Sequence, residues 1–222
     1  MVKVLKHTKK NTATFVSHID TMRILQRTLV RAGINVKMSE GFNPHPITYT
    51  SHPLPLGVTS EAEYFVIANE DLSTSEVLDR FNQNSPIGIK AMYCYELEKN
   101  PNLCAKVNYC EYYIESSEAI KYKSDIENYQ NMDSYVISFA YKGGIKEQDI
   151  APLIESVSVS SSGISFVIAT GNVNLRPDRL VEDFNARFNL NLSVNDIVRV
   201  KQLIKQDNNF IDVDKFLKGL AK

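Results

Sequence analysis

The chain lacks the features that mark several large protein classes. No apolar run approaches the ~20 residues a membrane-spanning helix needs, and the stretch from Met1 to Phe15 has no apolar core of the kind a secretory leader carries. Cys94, Cys104 and Cys110 are too few for a disulfide framework. With nine and five residues between them, they make neither a CxxC zinc pair nor the CxxxCxxC cluster motif of radical enzymes. There is no GxxxxGK[ST] phosphate loop, no GxGxxG, no Gly-x-Ser-x-Gly elbow and no aromatic-rich RNP1 consensus. The expectation is a cytoplasmic protein with reduced thiols and no membrane segment.

What is present is a globular composition, 43% hydrophobic and 23% charged over 222 residues, enough for one large domain or two small ones. The net charge of −1 conceals an asymmetry. Residues 1–60 hold eight Lys/Arg against two Asp/Glu, a net of +6, while residues 61–222 hold 17 against 24, a net of −7. All four histidines, His7, His18, His45 and His52, also lie in the basic front. A patch for a negatively charged partner is the simplest use of such a distribution.

Val2 to Val16 alternates as one strand or a short hairpin turning at Lys9-Lys10-Asn11. Ser17-His18-Ile19-Asp20 is a helix-start signature, with Ser17 as cap and Asp20 as the acidic arm of a capping box. Ile19, Met22, Leu25 and Leu29 follow at helical spacing, and Gly33 stands where a left-handed cap is wanted. Ile34 to Met38 turns β-like. Two prolines exclude regular structure from Ser39 to Pro46. Ile47–Thr50 and Glu63–Ile67 read as strands, Ser73 opens a second helix that Pro86 and Gly88 close, and Ile89–Leu97 is another strand.

The resulting order predicts an α+β fold, a ferredoxin-like β-α-β-β-α-β sandwich over residues 1–98. Lys99-Asn100-Pro101-Asn102 marks a boundary. Residues 106–206 then predict a second, degenerate α+β sandwich, with strands at 109–115, 134–141, 164–169 and 197–204 and a helix opened by Arg176-Pro177-Asp178. The segment 148–159 is ambiguous. Residues 207–222 form a short amphipathic helix or a tail.

Arg23, Arg27 and Arg31 recur every four residues along one flank of the first helix, and guanidinium groups in a row suit phosphate oxygens. The plain alternative is a solvated helix face. The absence of acidic residues at i±4 and the nearby Lys37 favour anion binding. His18 and His45 are the candidates for acid–base work, since imidazole titrates near neutrality and the loop Glu40-Gly41-Phe42-Asn43-Pro44-His45-Pro46 is built from residues that restrict its backbone. His18, Asp20, His45 and His52 would make a weak metal set if the fold brought them together.

The runs Phe15-Val16-Ser17-His18-Ile19-Asp20-x-Met22-Arg23, Arg31-Ala32-Gly33, Ser39 to Pro46, Pro53-Leu54-Pro55-Leu56-Gly57 and Ser60-Glu61-Ala62-Glu63-Tyr64 resemble the radical SAM-linked protein family, as does Leu175-Arg176-Pro177 in general course. That bacterial domain of unknown function occurs beside, or fused to, radical S-adenosylmethionine proteins. The resemblance implies a radical SAM partner that carries the S-adenosylmethionine and the iron–sulfur cluster, with no cofactor bound by this chain. The expected function is an accessory module that binds RNA, either tRNA or rRNA, without catalytic activity of its own. Arg23, Arg27, Arg31 and Lys37 would contact phosphates, and Ser17, Asp20 and the Glu40–Pro46 loop would shape the site. The alternatives are an RNA-processing or phosphate-substrate enzyme using His18 and His45, and a protein–protein adaptor for the radical SAM partner.

Overall fold

A computed structural model describes residues 1–69, 71–207 and 209–221. The chain opens with strand β1 (Val2–Lys9), a 3-10 turn over Asn11–Phe15 and helix α1 (His18–Arg31). Next come β2 (Thr48–Thr50), β3 (Thr59–Ile67), α2 (Thr74–Asn84) and β4 (Ile89–Leu97). A short α3 (Leu103–Lys106) leads to β5 (Tyr109–Glu115), α4 (Lys123–Glu127), β6 (Val136–Tyr141), β7 (Gly144–Asp149), β8 (Ile154–Val159) and β9 (Gly163–Ala169). The chain closes with α5 (Pro177–Phe188), β10 (Val198–Gln206), β11 (Asn209–Asp212) and α6 (Val213–Leu220).

The α+β class is as the sequence predicts, and the strand order explains why. One sheet runs β4-β1-β3-β10-β5-β9-β8, with β2 paired to β3 and β11 to β10. Number the first unit's strands β1, β2, β3, β4 and the second's β5, β8, β9, β10. Each then has the lateral order fourth-first-third-second, with every pairing inside a unit antiparallel. The units join where β10 lies parallel to β3, at Val198–Thr59 and Arg199–Ser60. The sheet therefore runs without a break past Lys99–Asn102. The β6–β7 hairpin is a separate two-stranded sheet set between α4 and β8, with no counterpart in the first unit.

Three apolar clusters hold the sheet to its helices. Leu5, Phe65, Ile67 and Ile89 meet Leu25 and Leu29 of α1 and Val77 and Phe81 of α2. On the opposite face, Val4, Tyr64, Val66 and Tyr95 meet Val213 and Leu217 of α6. In the second unit, Ile114, Phe166 and Ile168 pack beneath Leu180, Val181 and Phe184 of α5. No helix among the described residues is long and apolar enough to cross a membrane.

Four local expectations need correction. Residues 2–16 make neither one strand nor a hairpin: β1 stops at Lys9 and a 3-10 turn follows, because Asn11 takes a left-handed φ of 52° and Lys10 N–H bonds the carbonyl of Gly88. Ile34–Met38 contains only a single bridge, Met38 to Pro46, since Pro46 lacks the N–H a ladder would need. The ambiguous stretch divides between the end of β7 and the whole of β8. Residues 209–212 are a strand, and the terminal helix starts at Val213 with Asp212 as its cap.

Candidate functional site

Helix α1 forms where its signals place it. The Ser17 hydroxyl accepts from the Asp20 backbone N–H at 3.1 Å and donates to the Asp20 carboxylate at 2.8 Å. Gly33, at φ +60°, closes the other end: its N–H reaches the Val30 carbonyl at 3.1 Å, and the Ile34 N–H reaches that of Leu29 at 3.0 Å. This double closure terminates a helix without leaving its last carbonyls bare. Leu25, Thr28 and Leu29 face inward, whereas Ile19, Arg23, Arg27 and Val30 face solvent.

The arginine row is present on this surface, but its members differ. Arg23 donates to Asp20 at 3.0 Å, a pair at i,i+3 that the i±4 reading of the sequence misses. With its Ser17 bond and then Arg23, the Asp20 carboxyl is held below the usual carboxylate range. Arg31 is turned towards α2, donating to Thr28 Oγ1 at 3.0 Å and to the Asn84 carbonyl at 2.9 Å. Arg27 is exposed and makes no hydrogen bond or ion pair with the described residues. Lys37 is exposed at the foot of the neighbouring loop.

That loop is pinned at its base and free at its tip. Ser39 N–H donates to the His45 carbonyl at 2.8 Å, its hydroxyl accepts from His45 N–H at 3.0 Å and lies 2.9 Å from His45 Nδ1. Gln26 of α1 donates to the Pro46 carbonyl at 3.3 Å and to Thr48 Oγ1 at 3.0 Å, which anchors the loop beside the arginines. Gly41 turns the tip at φ +118°. Glu40, Asn43, Pro44 and His45 are exposed, and Phe42 is 106% exposed, an aromatic ring held wholly in water.

The remaining histidines lie elsewhere. His7, His18 and His52 line a cavity of about 20 Å³, room for one water, together with Lys9 and Glu63. Burial lowers the affinity of all three imidazoles for a proton, with the Glu63 carboxylate pulling partly the other way. Beside them is the buried Arg199, 1% exposed. Its guanidinium meets Glu63 at 2.9 Å, the carbonyls of His52 and Pro53 at 3.2 and 2.9 Å, and Tyr112 OH from Nε and Nη2 at 3.2 and 3.1 Å. Its five N–H groups are thus taken up within the protein. Arg199 is the electrostatic pin where the two units join.

His52 also stands where two open grooves meet, of about 490 and 670 Å³, walled by Thr170 and Gly171. Its Nε2 lies 2.7 Å from the Val107 carbonyl, so that nitrogen carries the proton.

The four weak metal candidates do not assemble. Asp20 is spent on Ser17 and Arg23, His45 is fixed to Ser39 in the exposed loop, and only His18 and His52 share a wall. Among the described residues, no three His, Cys, Asp or Glu side chains are placed to hold a metal ion. His18 and His45 likewise share no hydrogen bond. Lys9, Glu63 and Arg199 gave no site signal in the sequence. Each sits in an alternating strand, where a charged residue ordinarily faces water.

Residues 4–206 match the model of a family described as an uncharacterized protein conserved in bacteria (DUF2344). No curated protein matches the chain.

Proposed function

The chain belongs to this bacterial family, and on that premise we propose that it is an RNA-binding accessory module of a radical SAM system. The observation that carries the reading is the pinned loop holding Phe42 fully in solvent beside the exposed Arg23 and Arg27. A ring kept in water costs solvation, and single-stranded nucleic acid is recognised by aromatic faces that stack on bases next to cations that take the phosphates. Arg27 and Lys37 supply free charge. Arg23 supplies more once a phosphate competes with the solvent-screened Asp20. The link to radical SAM chemistry is supported by the resemblance of the motif runs alone. In that setting the module would position an RNA nucleotide for its partner.

The test is a titration of labelled RNA at several salt concentrations. Exchanging Arg23 and Arg27 for glutamine lowers affinity and flattens the slope of log K against log salt by about 0.7 per lost single-strand phosphate contact. Phe42→Ala lowers affinity with the slope unchanged. Wild-type affinity and slope in both variants would remove this surface from consideration.

A second reading, docking onto an acidic face of the partner protein, is favoured by Ile19 and Val30, which are 64% and 72% exposed within the arginine row. Co-purification that survives nuclease but is lost with Ile19→Ser and Val30→Ser distinguishes it.

A further inference from the structure

The acidic second half contains one local exception. The β6–β7 hairpin is surplus to the strand order that the two units share, and it closes on a two-residue turn, Lys142 and Gly143, with φ of 46° and 80°. That turn type matches the strands' twist and holds the ribbon in one register. Ile137, Phe139 and Tyr141 alternate along one face. Ile137 is buried against the core, and Phe139 is covered by the Arg179 guanidinium of α5 at 3.5 Å. Tyr141, nearest the tip, is covered by no other residue of the core.

Opposite Tyr141 stands Gly144, which has no side chain to cover the ring. Instead the ammonium groups of Lys142 and Lys146 lie 5.2 and 5.4 Å from the ring centroid. Neither lysine has a carboxylate partner among the described residues. The nearby acids are occupied or turned away: Asp149 accepts from Ser134, Tyr135 and Ala151, Asp183 accepts from Tyr129 and Tyr135, and Glu147 pairs with Ser138 on the opposite face. The result is an exposed aromatic flanked by two unneutralised cations on a rigid stalk.

We propose that the β6–β7 ribbon is a second RNA-contacting element, in which an unpaired base stacks on Tyr141 while Lys142 and Lys146 take the flanking phosphates. Charge complementarity selects the occupant: two ammonium groups around one ring suit a polyanion carrying flat bases, and the ring alone is too small an apolar patch for a stable protein interface. The inference rests on the reading that the chain binds RNA, and it adds a contact in the other unit of the fold.

The experiment uses the full chain with labelled oligouridylate and, separately, total tRNA. Tyr141→Ala weakens binding by about 5- to 100-fold without changing the salt slope, and Tyr141→Phe retains wild-type binding. Exchanging Lys142 and Lys146 for glutamine lowers the slope by about 1.4. Circular dichroism matching wild type shows that the ribbon variants are folded. If wild type binds RNA, the α1 variants weaken it and the ribbon variants do not, the ribbon proposal fails while the α1 reading stands. If wild type binds neither RNA, both fail.

Discussion

Strand β1 and helix α1 each carry four basic or imidazole side chains and use them in opposite ways. In β1, Lys3 donates to the Asn69 carbonyl at 3.1 Å and lies 3.4 Å from Glu96, Lys6 meets Asp214 at 2.5 Å, and Lys9 donates to the Val16 carbonyl at 2.8 Å. His7 is buried between them. In α1, His18 alone turns inward, while Arg23 and Arg27 stand in water and Arg31 reaches only a helix-end carbonyl. The difference is one of position. Strand β1 runs between β4 and β3 with helices covering both faces, so each side chain it carries must find a partner inside. An outer helix has a whole flank to spare. A cluster of cations in sequence thus says little about a binding surface until burial divides it.

The sharpest way to break this comparison is at the pin. Arg199→Met leaves Glu63 and two carbonyls without their donor, and unfolding stability falls by about 3–5 kcal/mol, read as a lower urea midpoint. A change smaller than ~1 kcal/mol would mean that the buried charges are not structural.

Next is a matched pair of single cation deletions. Lys3→Met removes a buried charge-assisted bond and costs about 1–3 kcal/mol, whereas Arg27→Gln changes stability by less than ~0.5 kcal/mol. Equal losses would erase the distinction between strand and helix.

A finer test is pH. His7, His18 and His52 have folded pKa values below the unfolded value, so the unfolded chain takes up protons first. Their contribution is full above about pH 6.5 and is lost as pH falls from there through the lowered folded values. Thermal melts between neutrality and mild acid should show a falling melting temperature, and His45→Gln should leave that dependence as it is.

The smallest expected effect is Phe42→Ala, within ~0.5 kcal/mol of wild-type stability, because the ring touches nothing that folding requires. A larger loss would show that the loop depends on it.

Much of the fold was legible where signals are local. Ser17, Gly33, Ser73, Pro177 and the β-branched runs at Ile89–Leu97 and Tyr109–Glu115 place their elements within a residue or two of the observed bounds. The misses involve backbone states with no compositional mark, such as the left-handed Asn11 that ends β1, or short strands like β7, whose residues are almost all exposed. For the outer site, the arginine spacing and the double-proline loop were readable. The loss of Arg31 to the Asn84 carbonyl was not, because it depends on where α2 comes to lie.

The chain by itself determined its alternation of strands and helices, its helix ends and the basic bias of its first sixty residues, since capping, periodicity and charge act over a few neighbouring positions. Only the tertiary structure decided which cations are buried and which meet water, that His18 joins His7 and His52 rather than His45, and that Arg199 and Glu63, 136 residues apart, close on each other at the seam. Those outcomes follow from long-range strand pairing, which fixes the side of the sheet each side chain faces and which no local pattern encodes.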